Sequence, residues 1–138
     1  LVEKLGAARS RTSGGVKAQF VAVGYAYVAF AVEEADSFRL MFSHVIKHRT
    51  QYLELCALAK ACFQLLQSLI EAGQASGEFE TGDSIELTKS AWSMLHGLAS
   101  LLIEGQFSED GQDAQMQAQT IHFHLGCVLT AFSLTRAI

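Results

Sequence analysis

His44 and His48 stand four residues apart, a spacing that puts two imidazoles on one helical face and could serve a metal ion. No third ligand lies at a motif-like distance. The pair therefore reads as the cationic end of a helix, favoured by the C-terminal dipole. His122 and His124 are two apart and point in different directions on a helix, so they are not expected to share a metal. Cys56 and Cys62 differ by about 600° of helical phase, which puts them on different faces and argues against a redox pair. The chain has no Gly-x-Ser-x-Gly, no phosphate-cradling glycine loop and no His-Glu-x-x-His. Its carboxylates cluster at helix ends and loops, where capping accounts for them. No enzyme, metal or cofactor is expected.

The aromatic residues point to different chemistry. Phe20, Tyr27, Phe30, Phe63, Trp92 and His96, with Tyr25 beside them, fall on three apolar helical segments and mix large apolar faces with a few polar tips. Such a set suits a pocket for a small apolar or aromatic ligand, although an aromatic stripe at helical spacing is more often plain core. Tyr25 and Tyr27 cannot both face inward along one line, so one hydroxyl should reach solvent, pocket or interface.

The elements that must carry these residues are helical. Residues 1–9 read as the last turns of a helix with Val2 and Leu5 on one side, and 10–15 as a polar break. Residues 16–34 form a helix apolar nearly all round, which belongs at the centre of a domain. Asp36 can cap a short helix carrying Phe38, Leu40, Met41 and Phe42. Thr50 is a fair cap for a helix reaching about residue 72, with Tyr52, Leu55, Ala59, Cys62, Leu66 and Leu69 inward and Gly73 as its stop. Asp83 or Ser84 caps the following helix, and the last runs from about 112 to 136 after a polar loop at 107–111.

Residues 91–105, AWSMLHGLASLLIEG, carry two apolar stripes: Leu87, Ala91, Met94, Leu98 and Leu101, and beside them Trp92, Leu95, Ala99 and Leu102. One core needs one stripe, so the second should cover a partner. Gly97 in mid-helix costs about 1 kcal/mol relative to alanine, commonly compensated by close approach of another backbone. The last helix faces inward with Ala118, Ile121, Leu125, Val128 and Phe132. Two such helices would form a four-helix bundle across a twofold axis, with Leu98, Leu101, Leu102, Ile121, Leu125 and Val128 at a homodimer interface.

Composition agrees with one all-α domain over 1–138. The chain is 50% hydrophobic, has no proline, and carries a net charge of −4, a poor match to nucleic acid. Lys4, Arg9, Arg11 and Lys17 read as a solvated helix end rather than a DNA patch. Cys56, Cys62 and Cys127 lie in apolar helical contexts and read as buried thiols of a reducing, cytoplasmic compartment. The most apolar run, 20–32, falls short of the roughly 20 residues of a membrane span.

Trp92, His96 and Gly97 in the setting Ala-Trp-x-x-Leu-His-Gly-Leu resemble the start of the dimerisation helix in TetR-type transcriptional regulators of the Trp-His-Gly subgroup. Residues 26–43, AYVAFAVEEADSFRLMFS, resemble that subgroup's long apolar helix, acidic break and Phe-Arg-Leu-Met-Phe turn, and the helix-loop-helix at 50–103 extends the likeness. An alanine, Ala35, stands where the family often has proline. The resemblance implies a TetR C-terminal-domain-like helical bundle: the effector-binding and dimerisation domain of a ligand-responsive regulator, expected to be a repressor. It implies operator DNA as a partner only through an N-terminal helix-turn-helix domain that this chain lacks. The alternative expectation is a haem- or small-molecule-binding helical carrier, suggested by length, helicity, Phe42 and a mid-chain His96.

Overall fold

The computed structural model describes residues 1–42, 53–107 and 114–133. Among them stand six helices: α1 (Val2–Arg11), α2 (Val16–Glu33), α3 (Ala35–Phe42), α4 (Leu53–Ser76), α5 (Ser84–Ile103) and α6 (Ala114–Ser133). His44, His48, the Thr50 cap, Tyr52 and the outer ends of the last helix fall outside the described residues.

Helix α2 is the axle. It packs against all five other helices, as a helix apolar nearly all round must. Gly24 makes this closeness possible: a Cβ there would stand 2.5 Å from Leu125 Cδ2 and 3.4 Å from Leu95 Cδ2, so α5 and α6 settle directly on the backbone of α2. Its N-terminus is capped from a distance. The Val16 and Lys17 N–H groups donate to the two carboxylate oxygens of Glu78, at 2.9 and 3.0 Å. These bonds, that from Lys17 foremost, hold the Glu78 carboxyl below its usual pKa, with help from the Ser76 hydroxyl.

Several boundaries differ from the sequence reading, each for a tertiary reason. Gly73 does not stop α4. It lies inside the helix because the Phe79 ring packs where a side chain would be, and an added Cβ would stand 2.7 Å from Phe79 Cε2. The turn is made instead by Gly77, at φ +76°, a conformation that favours glycine. Asp36 is not a cap either. Phe38 N–H already bonds the Glu34 carbonyl at 2.8 Å, so Asp36 sits in the first turn of α3 and pairs with Arg39 at 3.3 Å. At α5 the cap is Asp83, whose carboxylate accepts from the Ile85 and Glu86 N–H groups at 2.9 and 3.2 Å.

Two groups of buried side chains make up the core. The larger joins Leu5, Val23, Tyr27, Val28, Phe38, Cys62, Leu69, Leu95, Leu98, Leu102, Ile121 and Leu125. The smaller gathers Phe20, Leu66, Ile70, Phe79, Ala91, Val128 and Phe132 at the end where α4 turns into α5. Of the three thiols expected to be buried, Cys62 is; Cys56 and Cys127 are exposed, because each lies on the outward phase of its helix. Helices α2 and α4 do have the length and apolar character to cross a membrane, contrary to the sequence reading. Here α2 spends that apolar surface on the other helices of the bundle.

Candidate functional site

The centre of the larger core is an aromatic nest. Tyr27 comes from the middle of α2, Trp92 and His96 from successive turns of α5, and Phe63 from α4, where its ring lies 5.6 Å from that of Trp92. Tyr27 Oη and His96 Nδ1 are hydrogen-bonded at 2.9 Å, so the two polar tips close on each other. With the imidazole protonated at Nε2, the phenol donates to Nδ1. Burial keeps both neutral: it raises the Tyr27 pKa well above the ordinary phenol range and lowers that of His96. Burial likewise raises the Cys62 pKa, leaving a protonated thiol rather than a nucleophile.

Between Leu5, Val23, Tyr27, Cys62, Leu66, Trp92 and Leu95 lies a cavity of about 20 Å³. That is about the room one water needs, against roughly 300–1,000 Å³ for a ligand pocket. The space beyond Tyr27 and His96 is filled by α3. Phe38 lies stacked on His96 at 5.2 Å, and Phe42 stands 4.8 Å from His96 and 6.1 Å from Trp92. The sequence reading had given Phe38 and Phe42 to a short helix without assigning them to the site. Their four-residue spacing, the same as that of Trp92 and His96, was the available signal.

Four of the six candidate ligand residues, Tyr27, Phe63, Trp92 and His96, are brought together. Phe20 is not: it is 1% exposed and makes edge contacts with Phe79 at 5.7 Å and Phe132 at 6.1 Å, in the other core group. Phe30 is not either; it lies half-buried under Lys4, whose Nζ is 5.6 Å from the ring. Phe20 lies on nearly the same face of α2 as Tyr27 but two turns, about 10 Å, further down the helix, where it meets the other core group, whereas Phe30 is rotated from Tyr27 by about 60° towards α1. Tyr25 follows the expectation for the outward tyrosine and stacks on His122 at 4.9 Å, while His124 turns away to Phe107.

The six residues expected at a dimer interface also separate. Leu98, Leu102, Ile121, Leu125 and Val128 are buried in the chain's own core; Leu101 is exposed. The reason is that α5 and α6 pack on α2, Leu95 and Leu125 against Gly24, which buries the Leu95, Leu98, Leu102 edge in the core. What α5 and α6 turn outward is Met94, Leu101, Met116 and Phe123, the last 70% exposed. Between the two helices runs an apolar groove of about 410 Å³, with Met94, Gly97, Leu101, Phe107, His124 and Cys127 along it. Among the described residues, and apart from its own turn of helix, nothing lies within 4 Å of where a Cβ on Gly97 or Gly126 would stand.

The sequence profile of the tetracyclin repressor-like C-terminal domain matches residues 20–123. The chain belongs to this family. Tetracyclin repressor-like C-terminal domains are regulatory rather than catalytic parts of TetR-type regulators, and this one has their all-α architecture. A solved structure described as a protein with unknown function from Rhodococcus sp. RHA1 has the same fold, with a TM-score of 0.79 at 22% identity. The match covers 96% of this domain but 66% of that chain, so this domain spans just under two thirds of that protein. No curated protein matches the chain. For the carrier alternative the domain offers His96 already bonded to Tyr27 and, beside it, a cavity of about 20 Å³, which is no seat for a haem.

Proposed function

We propose that this domain is the effector-binding and dimerisation part of a cytoplasmic, ligand-responsive TetR-type repressor. Its operator DNA would be reached through an N-terminal helix-turn-helix domain of the parent protein, and it would carry out no catalysis of its own. The observation that carries the reading is the nest: Tyr27, hydrogen-bonded to His96, and Trp92 line one cavity together with Leu5 of α1. A small apolar or aromatic effector entering there would bear on α1, the element that precedes all others in the domain. Arg9 of α1 is in turn tied to Ser68 of α4 by a 2.7 Å hydrogen bond, which links α1 to the helix that carries Cys62 and Leu66 of the cavity wall. The effector acts by population shift: it must bind the conformation with misplaced DNA-binding heads more tightly, since equal affinity for both would move nothing.

The proposed homodimer forms by pairing α5 and α6 with their twofold copies. The exposed Met94, Leu101 and Phe123 supply the contact, and the open Gly97 and Gly126 let the partner's helices approach. Leu98, Leu102, Ile121, Leu125 and Val128 act as the floor beneath that contact rather than as the contact itself. The test is the double substitution of Leu101 and Phe123 by lysine, read by light scattering with circular dichroism. A folded monomer is expected. A folded dimer would place the interface elsewhere and overturn the pairing of α5 and α6.

A further inference from the structure

The nest holds its two ring-shaped spaces already filled, and the filler is α3. Helix α3 has eight residues and rests its backbone chiefly on α2. Its inward side is Phe38 and Phe42, whose rings lie 4.8 Å apart and meet Tyr27 at 5.6 and 6.4 Å. Its outward side is held by Arg39, which reaches the end of α5. The guanidinium donates to the Glu104 carboxylate at 3.2 Å and to the Ile103 carbonyl at 3.2 Å. That tie is nearly half exposed, so water competes for it and it holds α3 only weakly.

The walls left when α3 withdraws are two aromatic faces and one hydrogen-bonded pair. His96 loses its stacked ring and Tyr27 its edge contacts, while the phenol and imidazole can exchange their mutual bond for one to a guest. None of the residues lining the adjoining cavity is charged. A bare carboxylate or ammonium would be buried there without a partner, which proteins avoid.

We propose that α3 is an internal plug, and that the effector is an uncharged planar aromatic molecule with one hydrogen-bonding group that displaces Phe38 and Phe42 and bonds the Tyr27–His96 pair. The inference rests on the pocket reading above and adds to it the ligand class and the route of entry. The ligand's apparent affinity is then reduced by the fraction of molecules with α3 out, so loosening α3 tightens binding.

The experiment titrates the protein by calorimetry with 2-naphthol, a planar aromatic with one hydroxyl that can take Phe38's stacked place on His96. Naphthalene and 2-naphthoate serve as the non-bonding and charged comparisons. Phe42→Ala, checked for folding by circular dichroism, should bind 2-naphthol about tenfold more tightly than the wild type, and the surface variant Arg39→Ala about threefold. Tyr27→Phe should remove the preference for 2-naphthol over naphthalene, and 2-naphthol should speed tryptic cleavage after Arg39. Binding that is no tighter in Phe42→Ala and Arg39→Ala would overturn the plug and leave the pocket reading standing. Equal affinity for 2-naphthoate would overturn the ligand class. Absence of 2-naphthol binding in the wild type and both variants would overturn the plug and the pocket together, whereas the dimer reading falls only by the Leu101 and Phe123 test.

Discussion

Gly97→Ala separates the fold of the protomer from its assembly. Gly97 lies in the interior of α5, and a Cβ added there meets no other described residue within 4 Å beyond its own turn of helix. The protomer therefore feels only the helix-propensity gain of alanine over glycine, about 0.8–1 kcal/mol. For a domain of this size that corresponds to a rise in Tm of roughly 3 °C. In the proposed dimer the same methyl stands on the groove floor between α5 and α6, where a partner helix approaches. There it pushes the two backbones apart and weakens association. Thermal denaturation at a concentration low enough to give monomer should show the stabilisation, and sedimentation velocity should show a larger dimer dissociation constant. A variant that is less stable as a monomer would mean that Gly97 faces a close neighbour within the chain, against the packing described above. One that dimerises unchanged would remove Gly97 from the interface.

Gly73→Ala should do the opposite within the protomer. Its Cβ meets the buried Phe79 ring, and overpacking of about 1–3 kcal/mol outweighs the propensity gain, so urea denaturation should show a net loss. Stability should also fall with pH on account of His96. Burial depresses its folded-state pKa, so the unfolded chain takes up the proton first; the loss begins as pH drops through the ordinary histidine pKa of about 6.5 and ends below the folded value. Denaturation midpoints of the wild type and His96→Gln between neutral and mildly acidic pH check this, and parallel curves would refute it. Glu78→Gln should weaken the cap of α2. Because the Glu78 pKa is lowered by folding, its contribution is present above the unfolded pKa and disappears as pH falls through the folded one; the stability gap between variant and wild type should close there.

Much of this architecture was legible from local signals. The apolar circumference of residues 16–34 marks a central helix, Asp83 or Ser84 marks the start of α5, and the two stripes of α5 mark a helix with a wide apolar face. Trp92 and His96, four apart, share a face with or without tertiary context, and the family resemblance lay in the same residues. Helical periodicity carries this information because it depends only on the 3.6-residue repeat and on the side chains' own chemistry.

Choosing which stripe faces which neighbour needed the packed structure. Either edge of α5 satisfies the hydrophobic pattern, and the choice fell to Gly24, a residue on another helix whose missing side chain draws Leu95 and Leu125 inward and turns Met94 and Leu101 out. The same holds for Gly73, which local rules make a helix stop and the Phe79 ring makes a helix interior, and for Glu78, which caps α2 at Val16, 62 residues earlier in the chain. Phe20 and Phe30 lie outside the nest, and Phe38 and Phe42 within it, because which rings meet depends on where along each helix its neighbours pack, and those neighbours are distant in sequence. The sequence alone determined the helices and the kind of surface each presents. Only the tertiary structure decided which surfaces meet, since that depends on steric fit between segments that the chain does not place side by side.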